Sequence, residues 1–187
     1  EEPDETWSIN TQTFDMSGNK IGNQTIVETG MVDIKRAPKI TTLSDGGYAI
    51  TWSTLGTQDD TNGAFVKLYN ADGSEQTAAI KLNDSFLMGT GYHSQQEIIE
   101  LDNGSIVVAW SGTDKINGYA PIYMRMINAN GSFITEEIIV NTSEGNYHVY
   151  PTLTKYPDGT FSIHWRSSPT SSKYDMQATA QRFSETG

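Results

Sequence analysis

The sequence has no cysteine, few positive charges and no long hydrophobic run. Without cysteine there can be no disulfide, no thiolate nucleophile and no cysteine-ligated zinc or iron–sulfur cluster. Because 23 Asp and Glu face only 12 Lys and Arg, the formal net charge is −11, which disfavours binding to nucleic acid or to an anionic membrane surface. No apolar run approaches the roughly 18 residues that a membrane helix needs, so we expect no membrane insertion.

What the sequence does contain is a repeat. A hairpin motif that ends in Trp and a small hydroxyl residue occurs as LSDGGYAITWS at 43–53, LDNGSIVVAWS at 101–111 and YPDGTFSIHWRS at 156–167. A second motif, an aromatic or Ile residue followed by a Gly-containing turn, is centred on Phe14, Tyr69, Ile127 and Phe183. Both motifs recur about every 55 to 58 residues, a spacing typical of repeated supersecondary units.

Each repeat predicts four short antiparallel strands. Strand C leads into the second motif's turn, strand D follows it, strand A starts near Pro38 or Pro151, and strand B carries the Trp. We therefore predict an all-β fold of about 13 strands in three repeated units, propeller-like or prism-like, with a β-sandwich as the alternative. The chain is expected to form one ligand-binding domain over 1–187, monomeric by itself and excised from a longer protein.

The turns of the first motif have a structural interpretation. Asp45, Asp102 and Asp158 precede or occupy tight hairpin turns, where an Asp side chain commonly caps its own backbone. Trp52, Trp110 and Trp165 are predicted to pack in the core or between units.

The connections sort into two edges. In an antiparallel meander the tight A–B and C–D turns share one edge, which we call the hairpin edge. The longer B–C and D–A connections share the opposite loop edge, which is the candidate binding face.

The loop edge carries two candidate sites. Oxygen side chains suited to calcium gather in GTQDDTNG and GTDKING, and the predicted metal ligands are Asp59, Asp60, Asn62, Asp114 and Asn117. A solvated polar loop is the alternative. The D–A loops GTGYHSQ and GNYHVYP repeat a Tyr-His pair, and aromatic loop residues supply rigid contact area for a ligand. The predicted ligand-binding residues are Tyr92, His93, Tyr119, Tyr147, His148 and Tyr150, with packing between units as the alternative.

Familiar catalytic patterns are missing. There is no G-x-S-x-G, no H-E-x-x-H and no P-loop, so the chain is expected not to be an enzyme. A pair of loop carboxylates for glycoside hydrolysis is kept as an alternative.

The repeat frame resembles units found in very large calcium-dependent RTX adhesins of Gram-negative bacteria. The strongest match is INANGSFITEEIIVNTSEGNYHVYPTLTKYPDGTFSIHW at 127–165, and the frame covers nearly the whole chain. With its length and three divergent units, the chain looks like the peptide-binding domain of such adhesins. The resemblance implies a secreted, cell-surface location, a Ca²⁺ cofactor, and cell adhesion through the C-terminal ends of host surface proteins. A calcium-dependent, lectin-like glycan-binding module is the alternative.

Overall fold

The computed structural model describes residues 7–30, 34–55, 63–84, 95–112, 120–142, 147–168 and 176–187. These residues form thirteen β-strands. The strands are β1 (Trp7–Phe14), β2 (Lys20–Gly30), β3 (Ile34–Thr42), β4 (Tyr48–Leu55), β5 (Gly63–Tyr69), β6 (Ile80–Lys81), β7 (Gln96–Glu100), β8 (Ile106–Ser111), β9 (Ile122–Ile127), β10 (Ile138–Ile139), β11 (Tyr147–Lys155), β12 (Phe161–Ser168) and β13 (Gln177–Phe183). In the described ranges no helix has the length and apolar character needed to cross a membrane.

The strands pair into four antiparallel sheets that follow the predicted repeat. Unit 1 is β3–β4–β5–β6, unit 2 is β7–β8–β9–β10, and unit 3 is β11–β12–β13, while β1 and β2 form a leading two-stranded pair. Strand A of each unit contacts strand A of the next: β3 packs against β7, and β7 packs against β11. Because the A strands meet in this way, we call strand A the innermost strand of each unit. The predicted all-β, propeller-like fold of repeated antiparallel units is confirmed.

Consecutive sheets pack face to face, so unit 2 is covered on both sides. One cluster joins Ala49 and Val66 of unit 1 to Ile98, Val108 and other residues of unit 2. A second cluster joins the opposite face of unit 2 to unit 3 through residues such as Met124 and Ile163. Every residue of β8 and β9 is consequently buried, which explains why these strands read as nearly continuous apolar runs.

The three Trp residues are buried, as the repeat predicts, but the turn prediction needs a correction. Asp45 Oδ1 accepts from Gly47 N at 2.8 Å and Asp158 Oδ1 accepts from Thr160 N at 3.1 Å. In the second hairpin the cap is Asn103, which accepts from Ser105 N at 2.9 Å. Asp102 lies one residue earlier in the repeat, and its carboxylate instead accepts a bond from Lys155 of unit 3 at 2.8 Å.

Two Pro residues lie at bulges within strand A rather than at its start. The register of β3 with β4 shifts between Arg36 and Lys39, and that of β11 with β12 shifts between Val149 and Thr152. The residue before each Pro has a positive φ, 51° at Ala37 and 60° at Tyr150. A bulge leaves one residue out of the ladder, so the missing Pro N–H costs no hydrogen bond there.

Candidate functional site

The loop edge is only partly covered by the described residues. All five predicted metal ligands, Asp59, Asp60, Asn62, Asp114 and Asn117, lie outside them, as do Tyr92, His93 and Tyr119. The described ranges contain no group of three or more His, Asp or Glu residues placed to hold a metal ion. Calcium binding therefore stays a prediction.

The other three predicted ligand residues come together at the start of β11, but His148 faces the interior. Its side chain is 1% exposed, and its Nδ1 accepts a hydrogen bond from Trp165 Nε1 at 3.1 Å. Its backbone N–H donates to Ala120 O at 3.0 Å. His148 therefore fits the alternative interpretation, in which it is a packing residue and not a ligand-binding one. Its side chain holds the Trp of strand B through a hydrogen bond.

Tyr150 is the exposed member of this group. Its side chain is 40% exposed, and the Arg166 guanidinium carbon lies 5.3 Å from its ring centroid. Tyr147 is half-buried, and burial, followed by the proximity of Tyr150, raises the pKa of its phenol. The two tyrosines therefore differ in environment: one is presented to solvent beside a cation, and the other is partly enclosed.

The outward face of unit 3 continues from Tyr150 along β12. Alternate residues of a strand share a face, and Ile163 and Trp165 belong to the cluster with unit 2, so Ser162, His164 and Arg166 point away from it. Ser162 Oγ lies 2.6 Å from His164 Nε2 and 3.0 Å from Tyr156 Oη. Thr152 lies opposite His164 across the strand pair and is exposed.

A carboxylate on an innermost strand forms a second feature of the loop edge. Glu97 is the second residue of β7, next to the D–A connection, and its side chain is 25% exposed. Its Oε2 pairs with Lys39 Nζ of unit 1 at 3.0 Å. Glu97 is therefore held in place while still partly open to solvent.

Two buried N–H donors lie beside Glu97 and have no hydrogen-bond partner among the residues that the structure describes. They are Gln96 Nε2 and Trp110 Nε1, and their residues sit directly opposite each other in the β7–β8 ladder. The Gln96 Oε1 atom accepts a hydrogen bond from Thr51 Oγ1 of unit 1. Unpartnered buried donors are uncommon in folded proteins, and here they mark the loop end of the interface between units 1 and 2.

Sequence reasoning missed Glu97, Lys39 and Arg166. The signal for Arg166 was present in the aligned hairpins, because the residue after the Trp is Ser53 in unit 1 and Ser111 in unit 2 but Arg166 in unit 3. Glu97 has no comparable signal, since nothing in its sequence neighbours shows that strand A lies innermost.

No family model matches this chain, and no curated protein matches it. Several solved structures share its fold. An endo-arabinase from Bacteroides thetaiotaomicron is 15% identical with a TM-score of 0.54, and the match covers 80% of this chain and 56% of that one. An endo-1,4-beta-xylanase from the same organism is 12% identical with a TM-score of 0.54, covering 88% and 59%. A protein of unknown function from Dyadobacter fermentans is 12% identical with a TM-score of 0.56, covering 95% and 49%.

This chain spans about half the length of the solved structures it matches. At such identities the likeness establishes the fold alone. It nevertheless overturns the expectation that the chain is not an enzyme, because structures with this fold include an endo-arabinase and a xylanase. That expectation relied on missing motifs, whereas glycoside hydrolysis requires two carboxylates brought together by the fold and no contiguous motif.

Proposed function

We propose that this chain belongs to a glycoside hydrolase that binds a polysaccharide at the loop edge and cleaves a glycosidic bond there. The observation that carries the proposal is the fold shared with an endo-arabinase and a xylanase. Glu97 supports it, since this carboxylate lies at the loop-edge end of an innermost strand and is partly open to solvent.

Glycoside hydrolysis uses two carboxyl groups, one of which protonates the leaving oxygen while the other acts as a base or nucleophile. We assign Glu97 as one of the two. Lys39 at 3.0 Å fixes the direction of the Glu97 carboxylate. The acidic loop residues Asp59, Asp60 and Asp114 are the candidates for its partner, and they lie outside the described residues.

The test is the release of reducing ends from arabinan and xylan by this chain, compared with Glu97→Gln. Loss of a general acid or base typically slows such a reaction by about 10²- to 10⁴-fold, so we expect Glu97→Gln to lose activity on that scale. Glu100→Gln is the matched control, because Glu100 is on the same strand but bonds Ser44 at the hairpin edge. No reducing ends from any polysaccharide tested, or a fully active Glu97→Gln, would contradict the proposal.

The resemblance to RTX adhesins stays a prediction. Calcium dependence, capture of C-terminal peptides and a bacterial surface location are all part of that prediction.

A further inference from the structure

The outward face of unit 3 differs from the equivalent faces of units 1 and 2. Flanking the Trp of strand B, unit 1 has Thr51 and Ser53 and unit 2 has Ala109 and Ser111, and all four are buried against the unit that follows. Unit 3 has His164 and Arg166 at these positions, half-buried and exposed respectively. Large polar groups replace small ones here, so the outward face of unit 3 offers polar contacts that the equivalent faces of units 1 and 2 do not offer.

The residue before the Pro of strand A also changes from a small one in unit 1 to a large one in unit 3. Ala37 and Tyr150 share the left-handed backbone conformation, with φ values of 51° and 60°. Residues other than Gly rarely adopt this conformation, and units 1 and 3 share it whereas the β7–β8 pair of unit 2 has no register shift. Unit 1 places a methyl group there, whereas unit 3 places an exposed phenol ring.

Arg166 carries a positive charge that has no ion-pair partner within the described part of the chain. Two other arginines are paired: Arg125 with Asp84 and Arg182 with Asp158. Arg166 instead lies over the ring of Tyr150 at 5.3 Å. In a chain with a net charge of −11, an exposed guanidinium that no described carboxylate pairs with favours an anionic ligand at this spot.

We propose that Tyr150 and Arg166 form a binding site for an acidic glycan, with the sugar of a uronic acid as the recognised group. A guanidinium binds a carboxylate through two parallel hydrogen bonds, and a flat aromatic ring gives the apolar face of a pyranose a surface on which to lie. Thr152 and His164 lie on the same face and offer polar contacts to the sugar hydroxyls. The choice of a glycan over another anion rests on the proposed function.

The test measures binding by calorimetry to oligogalacturonate and to the same oligomer with its carboxyl groups reduced to alcohols. We expect the acidic oligomer to bind at least tenfold more tightly than the neutral one. Arg166→Gln should remove this preference, Arg166→Lys should restore it in part because the charge remains without the bidentate geometry, and Tyr150→Ala should weaken binding to both oligomers.

Arg182→Gln is the matched control. Arg182 lies over a tyrosine ring of the same sheet, Tyr156, at 4.5 Å, but its charge is already paired with Asp158 at 2.6 Å. This variant should bind the acidic oligomer as the unmodified chain does. Melting temperatures of all variants identify any that fail to fold, and Arg166→Lys and Tyr150→Phe keep the test intact in that case.

Equal binding of acidic and neutral oligomers, no binding of either, or an unchanged Arg166→Gln would overturn the inference. So would tighter binding of a free-acid peptide that amidation of its C-terminus abolishes, since that result assigns the site to peptide carboxylates. The two proposals fail separately. Binding of oligogalacturonate without release of reducing ends from any polysaccharide would contradict only the hydrolase, and hydrolysis without a uronate preference would contradict only this site.

Discussion

At the scale of single residues, one asparagine side chain replaces backbone pairing at the end of each four-stranded unit. Asn83 Oδ1 accepts from Ala64 N at 2.8 Å, and Asn141 Oδ1 accepts from Ile122 N at 2.7 Å. Both asparagines are buried, where an amide N–H without a partner is costly. The asparagines of the repeated Leu-Asn and Val-Asn pairs therefore have a structural role, because each one holds the start of strand C by a hydrogen bond.

Tyr69 provides a residue-scale prediction, because its buried hydroxyl finds no hydrogen-bond partner in the described part of the chain. Its ring stacks on Tyr48 with centroids 4.7 Å apart, and phenylalanine would keep that contact. An unsatisfied buried hydroxyl costs about 1–3 kcal/mol. We therefore expect Tyr69→Phe to be at least as stable as the unmodified chain in urea unfolding at neutral pH, and a clear loss of stability would show that the hydroxyl is bonded.

Tyr69→Phe should also change how the free energy of unfolding depends on pH in the alkaline range. Burial, together with the nearby Glu75, raises the pKa of Tyr69 to about 12 from an ordinary value of 10.0. A raised pKa means that the folded state holds the proton more tightly, so the associated stability is present below pH 10 and is lost as the pH rises towards 12. Urea unfolding across this range should fall less steeply for Tyr69→Phe.

At the scale of elements, the sequence predicts the period, the tight turns and strands A to C, because these depend on local turn chemistry and on the placement of Trp. Strand D follows the turn in units 1 and 2, as predicted, but it is very short. The stretches AAIKLND and EEIIVNT pair over two residues each, Ile80–Lys81 and Ile138–Ile139. Thr77 and Thr135 explain part of this shortness, since their hydroxyls accept from the strand C amides of Leu68 and Met126 at 3.1 Å.

The interface between units 1 and 2 yields an element-scale prediction about a buried arginine. Arg125 on β9 is 1% exposed and pairs with Asp84, whose side chain is 65% exposed at the end of unit 1. Without Asp84, the described ion pairs leave the buried guanidinium with the exposed Glu136, at 3.8 Å, to offset its charge. We expect Asp84→Ala to cost about 2 kcal/mol or more, because an uncompensated buried charge is strongly destabilising.

Arg125→Met should cost less than Asp84→Ala, since an apolar side chain of similar length removes the charge together with its need for a partner. Urea midpoints of the two variants and of the double variant give the coupling between them. If Arg125→Met proves the more damaging change, the guanidinium is stabilised mainly by its position 4.3 Å over Phe133 and not by the ion pair.

At the scale of the whole molecule, the sequence predicts the architecture better than the site. The repeats predict the order of the sheets along the chain. Their apolar strands indicate that the sheets are covered by one another. The site depends instead on departures from the repeat, such as Arg166 where the other units have serine, and on which strand lies innermost, which places Glu97 at the loop edge. Neither is a property of a contiguous motif, because both depend on how units meet.

Stability should follow the stacking order, and hydrogen exchange measures it directly. Unit 2 is covered on both faces, and β8 and β9 are buried at every position. The leading pair β1–β2 contributes only Ile9 and Val27 to a buried cluster with unit 1, and most of its other described side chains are exposed. Opening this pair exposes little apolar surface, whereas opening β8 or β9 disrupts two clusters at once. We therefore expect amides of β8 and β9 to exchange slowest and those of β1 and β2 much faster, and equal protection of the two regions would mean that the sheets unfold as one cooperative body.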